Sequence, residues 1–180
     1  MSETIETPLP PALRNHWWWR PGWMVGRHYY ACHLTLDDQP QLRQLVSRYQ
    51  QAIANQPGLD LIPTQWLHIT MQGIGFTFEI GAAELHALAD ALTQELSKIG
   101  PPAVSFRYLT VHPEAIYLKA HPADVLYPLR ARMYRAVIDV FGANSSPEDM
   151  PSPSQFVPHV ALPMSTETVR HSPSLKHCRP

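Results

Sequence analysis

The sequence predicts an α+β fold of antiparallel strands with helices on their outer side, and three observations carry that prediction. Segments of strand character and amphipathic helical segments follow one another as strand, helix, strand, helix, two strands, helix, strand. The two adjacent strands, residues 103–111 and 115–120, flank His112-Pro113-Glu114 and read as a β-hairpin. No phosphate-cradling glycine loop follows a strand, so neither a P-loop nor a dinucleotide-binding unit is indicated.

Composition narrows the class. The 180 residues suit one domain large enough to bury a core, and 44% are apolar. Charged residues make up 16%, against a usual share of about 25%, and the 19 prolines are about twice the average usage, which predicts long loops stiffened by proline. A net charge of −1 gives no overall positive field for a long duplex, so a small nucleotide or an RNA terminus is the kind of phosphate ligand that remains. Two cysteines, Cys32 and Cys178, are too few for a disulfide framework. No run approaches the ~20 apolar residues of a membrane span and the N-terminus has no apolar signal core, so a cytoplasmic protein without membrane contact is expected.

Along the chain, residues 1–16 are polar and proline-bearing and are expected to be a disordered lead-in. WWWRPGW, residues 17–23, holds four of the five tryptophans and is expected to cover an apolar surface. RHYYACHLTL (27–36) is aromatic and β-branched, hence a strand. Residues 39–55 place Leu42, Leu45, Val46, Tyr49 and Ile53 on one helical face, and Pro57-Gly58 ends it. In WLHITMQ (66–72), Leu67, Ile69 and Met71 alternate with Trp66, His68, Thr70 and Gln72, a strand with one buried face, after which GIGF (73–76) reads as a loop.

Residues 82–100 carry Leu85, Leu88, Leu92, Leu96 and Ile99 on one stripe before Gly100-Pro101-Pro102, a second helix. A third spans about 123–141, with Leu126, Leu129, Met133, Val137 and Val140 as its apolar face and Gly142 as its stop. Residues 144–154 form a proline- and serine-rich loop, QFVPHVALP (155–163) is a last strand, and 164–180 is expected to be an irregular tail.

Ten histidines invite a search for chemistry, and the informative ones lie on strands. Residues i and i+2 of a strand share a face, so histidine followed two places on by threonine sets an imidazole beside a hydroxyl. His33-Leu34-Thr35 and His68-Ile69-Thr70 satisfy this; His159-Val160-Ala161 satisfies its histidine half. Two imidazoles converging from separate strands suit phosphodiester chemistry: one takes a proton from the attacking oxygen, the other gives one to the leaving oxygen, and an ordinary pKa near 6.5 keeps both forms accessible. Neighbouring hydroxyls would bind the non-bridging phosphoryl oxygens. There is no HExxH and no pair of CxxC motifs, so no metal and no other cofactor is expected. A metal site of His33, His68 and His159 would lack any carboxylate or cysteine on those strands.

WLHITMQGIGF and FVPHVAL, with RHYYACHLTL ahead of them, resemble the 2H phosphoesterase superfamily in its 2′-5′ RNA ligase-like, cyclic phosphodiesterase branch. The resemblance spans residues 17–163 as one bilobal domain. It implies two pseudo-symmetric lobes of antiparallel sheet with helices outside, the histidine strands meeting in a central cleft. It also implies metal-independent action on 2′,3′-cyclic phosphates or 2′-5′ RNA linkages, with His68 and His159 as the acid-base pair. Thr70 would be a phosphate-binding hydroxyl, His33 a cleft neighbour, and Arg20 and Arg27 phosphate contacts.

Two departures follow from the same resemblance. Ala161 stands where the family keeps Thr or Ser, and a lost charge-assisted hydrogen bond of roughly 1.5–3 kcal/mol corresponds to about one to two powers of ten in rate. A backbone N–H or Ser165 could stand in. The tail past Pro163 looks too short to complete the second lobe, which would leave an open sheet edge. On these grounds the alternative to an enzyme is a catalytically weakened module of the same fold that binds a nucleotide or RNA end.

Overall fold

Apolar periodicity sets the strands and helices, and the way they pair puts two histidine-bearing strands side by side. The structure, a computed structural model, describes residues 12–142, 155–167 and 169–170. Strands β1 (Ala12–Leu13), β2 (Tyr29–Thr35), β3 (Leu59–Leu61), β4 (His68–Phe76), β5 (Ser105–His112), β6 (Ala115–His121), β7 (His159–Ser165) and β8 (Val169–Arg170) combine with helices α1 (Pro40–Ile53), α2 (Ala82–Leu96) and α3 (Tyr127–Phe141). All pairings are antiparallel, and the expected α+β class is the one observed. The chain makes a β2-β4 ribbon, a four-stranded sheet ordered β3-β7-β6-β5, and a short β1-β8 pair.

Each helix shows the signals that start and hold it. α1 opens on Pro40, whose fixed φ suits a first turn, and buries Leu42, Val46, Tyr49 and Ile53. The Glu84 carboxylate accepts a hydrogen bond from the Gly81 N–H (2.8 Å) and so caps the start of α2. α3 ends at Gly142, whose φ of 85° is open to glycine and costly for other residues. The core joins Val46 and Tyr49 of α1, Ile69 and Met71 of β4, Leu118 of β6, and Val160 and Leu162 of β7 in one cluster. β4 and β7 share that core and touch one another, and His68 and His159 each stand on the face of their strand opposite to the core residues.

The structure corrects four expectations. GIGF is no loop: β4 continues through it to Phe76, paired with Tyr29 at the start of β2. The second lobe is not the one short of strands. β3, too short to stand out in the sequence, crosses over to pair with the end of β7, Leu59 opposite Ser165, so that lobe's sheet has four strands and the first lobe's ribbon two. The segments at either end of the domain are tied together, since β1 and β8 pair and the Arg14 and His16 N–H groups donate to the carbonyls of Pro113 and Ser165. Residues 1–11 and 171–180, and the loop of 144–154, lie outside the described residues.

The fourth correction concerns the tryptophans, three of which do not cover an apolar surface. Trp17, Trp18 and Trp19 remain open to solvent, while Trp23 packs against Tyr29 and Phe76 with ring centroids 5.6 and 5.3 Å away. Polar contacts hold the segment instead. The Glu114 carboxylate, at the β5-β6 turn, receives Arg14 Nε (2.9 Å), Arg20 Nη2 (3.0 Å) and Trp18 Nε1 (3.1 Å). Arg130, a surface residue by position in the sequence, is buried: its Nε donates to the Met71 carbonyl (2.8 Å) and it lies over Phe156, which fastens α3 to β4.

Candidate active site

His68 and His159 occupy equivalent places, each the first residue of its strand, β4 and β7. Each ring is also held in the same way. His68 Nδ1 lies 2.7 Å from the carbonyl oxygen of Trp66, and His159 Nδ1 lies 2.8 Å from that of Val157, in both cases two residues upstream. A carbonyl can only accept, so Nδ1 carries the hydrogen in both rings and Nε2 is the nitrogen left to exchange a proton. The chain entering each strand therefore sets the tautomer.

The first lobe surrounds His68 with a compact group. In the β2-β4 ribbon His33 lies opposite Thr70 and Thr35 opposite His68, so two imidazoles and two hydroxyls alternate across one face. The His33 and His68 rings stack with centroids 4.1 Å apart and planes 22° apart. Burial and the nearness of His68 both lower the His33 pKa. The nearly parallel planes keep the in-plane lone pairs of these rings from converging on one point, which removes the three-histidine metal arrangement. Among the described residues, no group of three His, Cys, Asp or Glu side chains is placed to hold a metal ion.

The second lobe surrounds His159 differently. Lys119 is its cross-strand partner on β6, and Tyr117 is the partner of Ala161. The Tyr117 ring leans onto His159 at a centroid distance of 4.4 Å, with His112 on its other side at 6.1 Å. His159 keeps part of its surface open to water, while neighbouring protein groups crowd its ring. That loss of water lowers its pKa below 6.5; the hydrogen bond to Val157 opposes the shift, and the charges of His112 and His68 add to it. β4 and β7 touch one another, and the charge of His68 reaches the His159 ring.

Thr70 is exposed on the face that carries His68. The arginines are disposed otherwise than expected. Arg27 donates to the Gly22 carbonyl (2.6 Å) and lies over the Phe76 and Phe78 rings, at the far end of β4 from His68 and so away from the cleft. Arg20 is committed to Glu114 and to the His16 carbonyl, so its charge is largely spent on holding the N-terminal segment. Ser165 cannot stand in for the hydroxyl missing at Ala161: it is fully buried and its Oγ donates to the Glu167 carbonyl (2.8 Å). Lys119, Tyr117 and His112 carry no signal of a site in the sequence, because each enters the cleft only through strand pairing.

The family model of the 2′-5′ RNA ligase superfamily matches residues 36–170. Among solved structures, TT0787 of Thermus thermophilus superposes with a TM-score of 0.57 at 20% identity, covering 82% of this chain and 78% of that one. The conserved protein of unknown function ATU0111 from Agrobacterium tumefaciens gives a TM-score of 0.47 at 17% identity, over 84% of this chain and 66% of that one. No curated protein matches the chain. At that level of identity the similarity to TT0787 is one of fold. No helix among the described residues is long and apolar enough to cross a membrane.

Proposed function

The chain belongs to the 2′-5′ RNA ligase superfamily of 2H phosphoesterases, and on that premise we propose that it is a phosphodiesterase in which His68 and His159 handle the protons. Its substrates on this reading are 2′,3′-cyclic phosphates or 2′-5′ linkages, presented by a small nucleotide or an RNA terminus. The observation that supports it is the shared Nδ1 anchoring, which leaves Nε2 as the nitrogen able to exchange a proton in both rings.

The lowering of the His159 pKa by burial favours its neutral form, which suits the base. Its Nε2 takes a proton from an attacking water as the water oxygen bonds to phosphorus. The bond from phosphorus to a ribose oxygen breaks, and His68 Nε2 gives that oxygen its proton. Ligation uses the same pair with a 5′-hydroxyl in place of water: His159 Nε2 takes its proton as its oxygen bonds to the phosphorus of a 2′,3′-cyclic phosphate, and His68 Nε2 protonates the 3′-oxygen that leaves. Thr70 donates to a non-bridging oxygen, and Lys119 adds positive charge beside His159, where phosphate needs it. Both proton transfers are served by imidazole, so the cycle calls for no metal-bound water. One observation favours a second reading, a module that binds nucleotide without turning it over: Ala161 offers no hydroxyl.

The test is turnover of nucleoside 2′,3′-cyclic phosphates in the presence of a chelator. His68→Ala and His159→Ala are each expected to lower kcat by about 10²–10⁴-fold. Unchanged turnover in either variant overturns the assignment, and tight nucleotide binding by the wild type with no product after long incubation selects the second reading.

A further inference from the structure

Ala161 removes a hydroxyl from the strand that carries His159, yet the register of the sheet supplies another from the next strand. Tyr117 sits directly opposite Ala161 in the β6-β7 pair. Directly opposed residues share a face with Cβ atoms about 4.5–5.5 Å apart, within easy reach of an aromatic side chain. The Tyr117 ring packs against the His159 ring, with centroids 4.4 Å apart and planes at 37°. The methyl group of Ala161 leaves the room into which it leans. On the other side of Tyr117, its β5 partner Thr110 is buried and cannot reach a ligand, and Ser165 is already bonded.

We propose that the Tyr117 phenol occupies the role of the hydroxyl absent at position 161, donating a hydrogen bond to a phosphoryl oxygen beside His159. This rests on the two-histidine reading above. The first lobe shows the complementary arrangement: there the hydroxyl, Thr70, lies on the histidine's own strand, and the residue opposite it on β2 is His33. In the second lobe the small residue is on the histidine's strand and the hydroxyl is opposite. Burial raises the phenol's pKa, so it keeps its proton near neutrality and serves as a donor. A tyrosine reaching across from a neighbouring strand also fixes the edge of the cleft, since its ring packs on the base it assists.

Tyr117→Phe keeps the ring against His159 and deletes only the oxygen. It is expected to lower kcat on a nucleoside 2′,3′-cyclic phosphate by about 10- to 100-fold with a smaller change in KM. Affinity for adenosine 2′-monophosphate, measured by calorimetry, falls with it. Adding Ala161→Thr to Tyr117→Phe restores much of both, a rescue that a purely structural role for the phenol would not give. Unchanged kcat and affinity in Tyr117→Phe overturn the proposal, as does a loss that Ala161→Thr leaves unrepaired. Should the wild type fail to turn over cyclic nucleotides, the catalytic reading falls, and the adenosine 2′-monophosphate series still decides the role of Tyr117.

Discussion

The two histidine strands begin alike and are then furnished differently. β4 and β7 each start with the histidine, and each ring is oriented by the carbonyl two residues before it. Around His68 the supporting groups are themselves an H-x-T pair, His33 and Thr35, lying antiparallel to His68 and Thr70. Around His159 they are an aromatic ring, a lysine and a second histidine drawn from β5 and β6. The proton-carrying nitrogen is thus specified locally, by a turn entering a strand, whereas its surroundings depend on which strand pairs alongside. On the proposed reading, such a site keeps its acid-base pair while the phosphate-binding groups move to neighbouring strands.

Three perturbations sharpen or break that contrast, beyond the histidine and Tyr117 variants already described. The largest expected effect is at Thr70. If the first lobe takes its hydroxyl from the histidine's own strand, Thr70→Val lowers kcat by about 10- to 100-fold, similar to Tyr117→Phe. Steady-state kinetics on a 2′,3′-cyclic nucleotide measures it. A wild-type rate in Thr70→Val would mean that the exposed threonine is only surface.

A smaller effect is expected from Glu114, which fastens the N-terminal segment to the second lobe and has no counterpart beside His68 among the described residues. Its arginine partners are partly open to water, so the charge contacts are discounted for solvent screening. Glu114→Gln should therefore cost about 1 kcal/mol of stability. Hydrogen exchange should rise first in residues 12–20, ahead of the core. Uniform exchange across the chain, or an unchanged melting temperature, would show that the segment is held by something other than this carboxylate.

The smallest effect concerns pH. The His159 pKa is lowered by burial and then by the charges of His112 and His68, so the base form persists to lower pH than in a free imidazole. On the acid side, activity is accordingly lost as pH falls through the lowered value. His112 in turn faces Glu114, which raises its pKa, and Arg14, which lowers it; burial is the larger cause of its own downward shift. His112→Gln removes one positive neighbour, so the acid limb of kcat/KM moves upward by a fraction of a pH unit. A downward move would contradict the assignment of His159 as the base.

Much of this is legible without any coordinates. The apolar stripes of residues 39–55, 82–100 and 123–141 identify all three helices, although the last begins with a separate short turn at Asp124–Leu126. The alternation in WLHITMQ puts Leu67, Ile69 and Met71 inside and His68 and Thr70 on the opposite face, but Gln72, assigned by spacing to that opposite face, is buried. GIGF misleads because two glycines signal a turn, yet Gly73 and Gly75 pair with Ala31 and Tyr30 in a ribbon whose register slips nearby. Leu59–Leu61 escapes notice because three residues carry too little periodicity to stand out. Arg20 and Arg27 mislead for a different reason: a free positive charge and one already paired look the same in a sequence.

Local order accounts for what the sequence determined alone: the helical stripes, the strand character of both histidine runs, and the absence of a hydroxyl at Ala161. Each depends on spacings of two to four residues along one segment. Tertiary structure decided the rest. It set Tyr117 opposite Ala161, Lys119 opposite His159 and β3 beside β7, and it spent Arg20 on Glu114. Such pairings bring together residues far apart in the chain, and a shift of one place in register would turn the same side chains to the other face.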